Sequence, residues 1–301
     1  MEGQIVVSGL TKVYPKVRAV DDLSFTVEPG RVTGFLGPNG SGKTTTLRMM
    51  LNLVTPTSGS ATIGGVRYPE LARPIGTVGA VLEASSAHKG RTGLNHLRII
   101  AAAAGYPARR ADEVMEMVGL TPAAKRKFRG YSLGMKQRLG IAGAIIGDPR
   151  VLILDEPANG LDPEGIRWMR EFLRAFASQG RTVFVSSHLL SEMEQLADDI
   201  IIIAAGQLIK QGRVNDIVSQ AHSGVVRVRT PQASALSGEL IRVGAQVQTA
   251  PDDSLLVTGV EPSAVGRAAL TVQAELHELV LDRPDLEQVF LELTHGKAGI
   301  R

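Results

Sequence analysis

The chain has 301 residues, 33 Lys and Arg against 30 Asp and Glu, 44% hydrophobic residues and no cysteine. This length buries a sizeable core without disulfides or structural metal, and the lack of cysteine excludes thiol catalysis, cysteine-ligated iron–sulfur clusters and disulfide scaffolds. The net charge of +3 is too small to imply nucleic acid, but it is uneven: residues 1–215 carry 26 basic and 19 acidic side chains, a net of +7, and residues 216–301 carry 7 and 11, a net of −4.

Ile5–Val7, Leu23–Val27 and Arg31–Leu36 are predicted as short strands, the last two separated by a Pro29-Gly30 turn. Ala61–Ile63 is a further strand, closed by Gly64-Gly65. From about residue 92 to 148 the spacing is helical, over Leu94–Ala104 and Ala111–Val118, with Thr92 and Thr121-Pro122 as helix starts. Val151–Leu154, Thr182–Ser186 and Ile200–Ala204 are continuous apolar runs, as expected of parallel strands covered on both faces. Helical segments Gly165–Ser178 and Leu190–Ala197 alternate with them, which predicts an α/β fold. After about residue 215, strands Val225–Thr230, Ala245–Thr249, Leu255–Gly259 and Leu276–Leu281 interleave with helices Ser234–Ile241, Pro262–Leu270 and Asp285–Leu293. That βαββαβ-like order predicts a small C-terminal α+β domain over 216–301. The longest apolar runs, Ile99–Ala104 and Ile200–Ala205, fall far short of the ~20 residues of a membrane span. The start, MEGQIVVSGL, has no basic-then-apolar signal pattern. The expected location is the cytoplasm, with docking on a membrane protein left open.

The segment Gly37-Pro38-Asn39-Gly40-Ser41-Gly42-Lys43-Thr44-Thr45 matches GxxxxGK[ST], with a strand before it and a helix starting near Lys43. Gly37, Gly40 and Gly42 let successive backbone N–H groups turn inward onto phosphate oxygens, and the helix start adds its positive end. Lys43 supplies a cation to the β- and γ-phosphates and Thr44 a hydroxyl to Mg²⁺. Asp155 follows the apolar run Val151–Leu154, at the strand end where ligands bind in such sheets, and is placed to hold Mg²⁺. Glu156, one residue on, points elsewhere and can polarise an attacking water. His188, after the strand Thr182–Ser186, can contact the γ-phosphate.

Tyr131-Ser132-Leu133-Gly134-Met135-Lys136-Gln137-Arg138 lies shortly before the acidic pair. Together with the phosphate loop, Asp155-Glu156 and His188, it resembles the signature of the nucleotide-binding subunits of ABC (ATP-binding cassette) transporters. The resemblance implies a P-loop ABC-type nucleotide-binding domain over residues 1–215, with a mixed sheet core and a helical subdomain at about 88–148. It makes Ser132, Gly134 and Met135 contacts to ATP, although Leu133 and Met135 depart from the family's Gly and Gln. Tyr14 resembles the aromatic on which adenine stacks, and Val20 joins it in the nucleotide site. Asn159-Gly160-Leu161-Asp162 matches the loop that communicates across the dimer. Glu83 stands where the family has a Gln that reaches the metal and water. The signature, Glu83 and the ending LEQVFLELT resemble the bacitracin-, lantibiotic- and daunorubicin-type drug or immunity exporters.

The implied function is hydrolysis of ATP with Mg²⁺, in a head-to-tail homodimer, powering export of a drug or peptide antibiotic through a separate multispan membrane subunit. The protein would sit on the inner face of the membrane, and no nucleic acid is expected. The segment Ser85–Thr92 would lie near that membrane partner. The basic cluster Lys125-Arg126-Lys127 with Arg129 is read either as a solvated face or as facing lipid headgroups or the partner. The competing reading is a soluble, regulatory cassette ATPase. The separation of 88 positions from Thr44 to Ser132 leaves no room for the coiled coil of repair relatives, and translation relatives carry two cassettes per chain.

Overall fold

Alternating apolar runs and helical segments give the strands β1 (Ile5–Tyr14), β2 (Val17–Val27) and β3 (Val32–Leu36), then α1 (Lys43–Met50), β4 (Ser58–Ile63), α2 (Pro74–Thr77) and β5 (Val78–Val81). The helices α3 (Gly93–Ala103), α4 (Arg109–Met117) and α5 (Leu133–Ala144) follow, and then β6 (Val151–Asp155), α6 (Pro163–Ala177), β7 (Thr182–Ser187), α7 (Leu190–Leu196), β8 (Asp199–Ala204) and β9 (Gln207–Arg213). The computed structural model describes residues 2–82, 87–221, 225–282 and 286–294. Residues up to Gly212 form one compact unit and Arg213–Leu293 a second.

In the first unit, β2, β1 and β4 make an antiparallel sheet, and a second sheet runs in the order β5-β6-β7-β3-β8-β9. The β5–β6, β6–β7, β7–β3 and β3–β8 pairs are parallel. All five residues of β3 are buried, as continuous apolar runs covered on both faces require. Phe25 of β2 meets Phe35 of β3 and Phe184 of β7, with ring centroids 5.5 and 5.7 Å away, so the two sheets share one core. The helices α3, α4 and α5 pack on one another, and Leu97, Val114, Met115 and Leu139 on them are buried. Among the described residues, no helix is long and apolar enough to cross a membrane.

The second unit contains α8 (Val214–Ala221), β10 (Val225–Arg229), α9 (Ala233–Arg242), β11 (Gln246–Thr249), β12 (Leu255–Thr258), α10 (Pro262–Thr271), β13 (Glu278–Asp282) and α11 (Leu286–Thr294). Its antiparallel sheet has the order β11-β12-β10-β13. Alternate residues Val226, Val228, Leu255 and Val257 face Leu236 and Leu240 of α9 and Val265 of α10, a core of its own. The fold class is α/β with a smaller α+β unit.

Several element boundaries differ from the sequence reading. β1 runs on to Tyr14 because register shifts after Val7 break its alternation without breaking the pairing. Thr121-Pro122 opens only a 3₁₀ turn, Thr121–Ala123, and the next long helix waits for the Ser132 cap. The strand β5 has no counterpart in the expectations, being four residues long with Gly79 inside it. Of the closing helix expected over Asp285–Leu293, Asp285 lies outside the described residues.

Candidate functional site

Parallel register brings three strand ends to one edge. Leu36 of β3 pairs with Ser187 of β7, and Asp155 of β6 pairs with Ser186. The phosphate loop, Glu156 and His188 therefore leave the sheet side by side, at the carboxyl edge where such sheets bind ligands.

The loop is held from behind. Gly42 has φ +103°, and a Cβ there would lie 2.5 Å from Ala19 O and 3.2 Å from Val20 Cγ2. Val20 is thus the wall against which the loop turns into α1. A Cβ at Gly37 would lie 2.4 Å from Ser41 Oγ and 2.6 Å from Ile203 O. Ser41 N donates to Pro38 O at 3.1 Å, which leaves Asn39 and Gly40 exposed at the tip. Thr44 and Thr45 lie in the first turn of α1.

The charged groups meet in front of this loop. Lys43 is buried, and its Nζ donates to Gly37 O at 2.7 Å and lies 3.4 Å from Glu156 Oε1. Thr44 Oγ1 donates to Asp155 Oδ2 at 2.7 Å. Glu156 Oε2 is 2.7 Å from His188 Nδ1 and accepts from His188 N at 3.3 Å. Five sequence-predicted residues, Lys43, Thr44, Asp155, Glu156 and His188, are therefore in direct or consecutive contact.

Ser186 has no place among the sequence expectations, yet it organises the acidic pair. Its Oγ donates to Asp155 Oδ1 and accepts from Glu156 N at 3.0 Å. Glu156 has φ +49°, the left-handed region, which costs about 1–2 kcal/mol for a residue with a Cβ. The contacts from Ser186 to its N–H hold it there. The available signal was a serine pair ending an apolar strand just before His188.

The residues fit a nucleotide and a hard cation. Ser41 Oγ is buried with no hydrogen-bond partner among the described residues, an arrangement that costs about 1–3 kcal/mol unless a ligand supplies a partner. Thr44 and Asp155 offer one hydroxyl and one carboxylate. Mg²⁺ takes few protein oxygens and completes its shell with water and substrate phosphates, so a larger acidic cluster is not required. Among the described residues, no cluster of three or more His, Asp or Glu side chains is placed to hold a metal ion.

The signature forms a different surface. Ser132 Oγ caps α5 by accepting from Met135 N at 3.2 Å. A Cβ at Gly160 would lie 2.5 Å from Leu133 Cδ2, and one at Gly134 would lie 3.7 Å from Leu161 Cδ2. The start of α5 and the turn before α6 thus pack together within one chain. Asp162 Oδ1 caps α6 by accepting from Gly165 N at 2.8 Å. Among the described residues, no hydrogen bond or ion pair joins Ser132, Gly134, Met135 or Asp162 to the loop at Gly37–Thr45. Tyr14 ends β1, 41% exposed, with Lys12 Nζ 5.2 Å from its ring centroid. Glu83, with Ser85 and Ser86 of the segment after it, lies outside the described residues.

Comparison with known proteins gives consistent matches. A family model described as ABC transporter matches residues 20–159, and one described as a domain of unknown function matches residues 224–287. An uncharacterized ABC transporter ATP-binding protein, YhcH of Bacillus subtilis, is 38% identical over 98% of this chain and 97% of its own length. The daunorubicin/doxorubicin resistance ATP-binding protein DrrA of Streptomyces peucetius is 35% identical over 99% and 94%. The bacitracin transport ATP-binding protein BcrA of Bacillus licheniformis is 44% identical over 69% of both chains. A solved ATP-binding subunit of an ABC transporter superposes with a TM-score of 0.64 at 27% identity, over 72% of this chain and 92% of that one. A dimeric, post-hydrolysis ATP-binding cassette bound to ADP and Pi shares the fold, with a TM-score of 0.63 at 22% identity over 69% and 98%.

Proposed function

Because this chain belongs to the ATP-binding subunits of ABC transporters, we propose that Lys43, Thr44, Asp155, Glu156 and His188 form the ATPase centre of an exporter for a drug or peptide antibiotic. Homology to ATPases named for bacitracin and daunorubicin supports the cargo class. The contact chain from Thr44 through Asp155 and Ser186 to Glu156, with Lys43 and His188 on its carboxylate, carries the reading of the centre.

The backbone N–H groups of Gly37–Thr45 receive the phosphates, aided by the positive end of α1. Lys43 balances charge on the β- and γ-phosphates. Thr44 and Asp155 would hold Mg²⁺, which neutralises phosphate charge when bound; Glu83 is proposed to reach the same ion. Glu156 accepts a hydrogen bond from the attacking water and takes up its proton as oxygen bonds to the γ-phosphorus. The bond to the bridging oxygen breaks, leaving ADP and phosphate. His188 steadies Glu156 through Nδ1–H, and as an imidazolium it also donates Nε2–H to a γ-phosphate oxygen. Tyr14 and Val20 flank the base.

Since the signature lies apart from the phosphate loop in its own chain, Ser132, Gly134, Met135 and Asp162 serve the ATP of a second copy. The active form is a head-to-tail pair with two equivalent sites. The pair works at the inner face of the membrane under a multispan permease. Residues 1–215 make the cassette, with 88–148 as its helical subdomain, and 216–301 an accessory domain.

Glu156→Gln tests the centre. Losing a general base lowers turnover by about 10²–10⁴-fold, while Mg²⁺–ATP should still bind and hold the variant as a dimer in sedimentation velocity. Turnover at the wild-type rate would remove Glu156 from the role of base.

A further inference from the structure

The segment 88–148 contains eleven Lys or Arg and four Asp or Glu, a net of +7. That equals the whole excess of residues 1–215, so the rest of the cassette is neutral. Two stretches gather most of this charge. Arg129 N donates to Lys89 O, Phe128 N to Arg91 O at 2.8 Å and Gly93 N to Arg126 O, with a Thr92–Lys127 bridge between them. The backbone thereby clamps 89–93 against 124–129. Lys89, Arg91, Lys125, Arg126, Lys127 and Arg129 are all exposed on this pair.

Among the described residues, none of these six has a carboxylate within ion-pairing distance. Elsewhere in the same unit, Arg18, Arg31, Arg110, Arg170 and Arg181 each face one. The uncompensated field reaches neighbouring groups. His96 is pushed below its ordinary value by burial first and by Arg91 second. The pair also exposes no large apolar side chain, since Phe128 and Tyr131 are 3% and 4% exposed.

We propose that this basic two-stranded patch binds the headgroups of anionic phospholipids, holding the cassette to the membrane surface directly. The inference rests on the cassette working at a membrane. Clusters of four to eight Lys and Arg bind anionic leaflets through charge alone. A protein partner is disfavoured because hot spots at protein interfaces centre on Trp, Tyr and Arg seated in desolvated pockets, whereas this surface exposes no aromatic side chain and four of its six charges, Lys125, Arg126, Lys127 and Arg129, lie outside the segment Ser85–Thr92 expected beside the membrane subunit.

The test uses the full chain, purified without a membrane subunit, and vesicle co-sedimentation. Binding is expected to vesicles containing phosphatidylglycerol and not to pure phosphatidylcholine, and to fall as salt shortens the screening length from about 10 Å at 0.1 M to about 3 Å at 1 M. Lys125→Gln/Lys127→Gln/Arg129→Gln spares Arg126, which ties the turn through Gly130 O at 2.7 Å. Removing those three charges should weaken binding about 100-fold, with ATP turnover in solution unchanged. The charge-matched control Arg67→Gln/Arg73→Gln/Arg109→Gln should bind like wild type. Equal binding to both vesicle types, or equal loss in both triple variants, overturns the proposal. So does a wild-type chain that ignores vesicles while the first triple variant loses stimulation by a co-reconstituted membrane subunit, which would make the patch a protein-docking surface. ATP turnover on the same preparations separates the two readings: an active ATPase that ignores anionic vesicles overturns the lipid inference alone, and an inactive wild type strikes the proposed ATPase centre.

Discussion

At the residue scale, Ser186 uses one hydroxyl to join the Asp155 carboxylate to the backbone N–H of Glu156. Ser186→Ala removes a partner from Asp155 and from the Glu156 N–H. We expect a stability loss of about 1–3 kcal/mol, and a fall in kcat larger than the change in ATP affinity, checked by urea melts, equilibrium binding and steady-state turnover. A loss of ATP affinity with kcat unchanged would place Ser186 in binding instead. Gly42→Ala meets a carbonyl that belongs to the chain itself, Ala19 O, at 2.5 Å, with φ at +103°. Its expected result is loss of nucleotide binding, read by equilibrium dialysis, because the loop cannot keep its path. The phosphate loop and acidic pair were legible in sequence because each is a local pattern beside a strand. Ser186 was not, since one hydroxyl in a buried strand carries no spacing signal and its partners lie 30 and 31 residues away.

At the element scale, the caps of α5 and α6 decide where the signature and the turn before α6 sit. Asp162→Ala should cost about 1 kcal/mol by loss of the cap, and Asp162→Ser should restore it, because Ser caps as well as Asp. If both variants lose turnover while Ser regains stability, the carboxylate acts beyond capping. His96 in α3 gives this layer a pH dependence. Its pKa is lowered by burial, then by Arg91, so the unfolded chain binds more protons than the folded one below the ordinary value of 6.5. Stability is therefore fully present above that value and declines as pH falls through it toward the lower folded value. His96→Gln should flatten that decline in melts between about pH 5 and 8. The helical layer was read in outline because apolar spacing marks α3 and α4. The helix start expected at Thr121-Pro122 is only a 3₁₀ turn, because Pro at a first turn suits a 3₁₀ turn as well as a helix, and Gly130 with the extended Tyr131 interrupts the path to Ser132.

At the scale of the whole molecule, each unit owns a core, the first around Phe25, Phe35 and Phe184 and the second around Val226, Leu240 and Val257. Calorimetry should resolve two transitions. Mg²⁺–ATP should raise only the one belonging to the cassette, by about 2.7 kcal/mol at a nucleotide concentration near 100 Kd. A single transition raised as a whole would mean that the units unfold together. The change to a βαββαβ order after residue 215 announced the second unit in sequence, but its edges were blurred by strands as short as β11 and β12.

The left-handed backbone at Glu156 has a consequence for mixed populations of chains. That conformation is more accessible to Asn than to Glu, but the Asn amide cannot take up a proton from water. A Glu156→Asn protomer, which sets relief of that strain against the lost contacts to Lys43 and His188, would fold while being inert. In a head-to-tail pair it would occupy the place of a working copy. A cell making both chains should lose more export than the variant's share of the pool, a dominant-negative effect that begins with one dihedral angle.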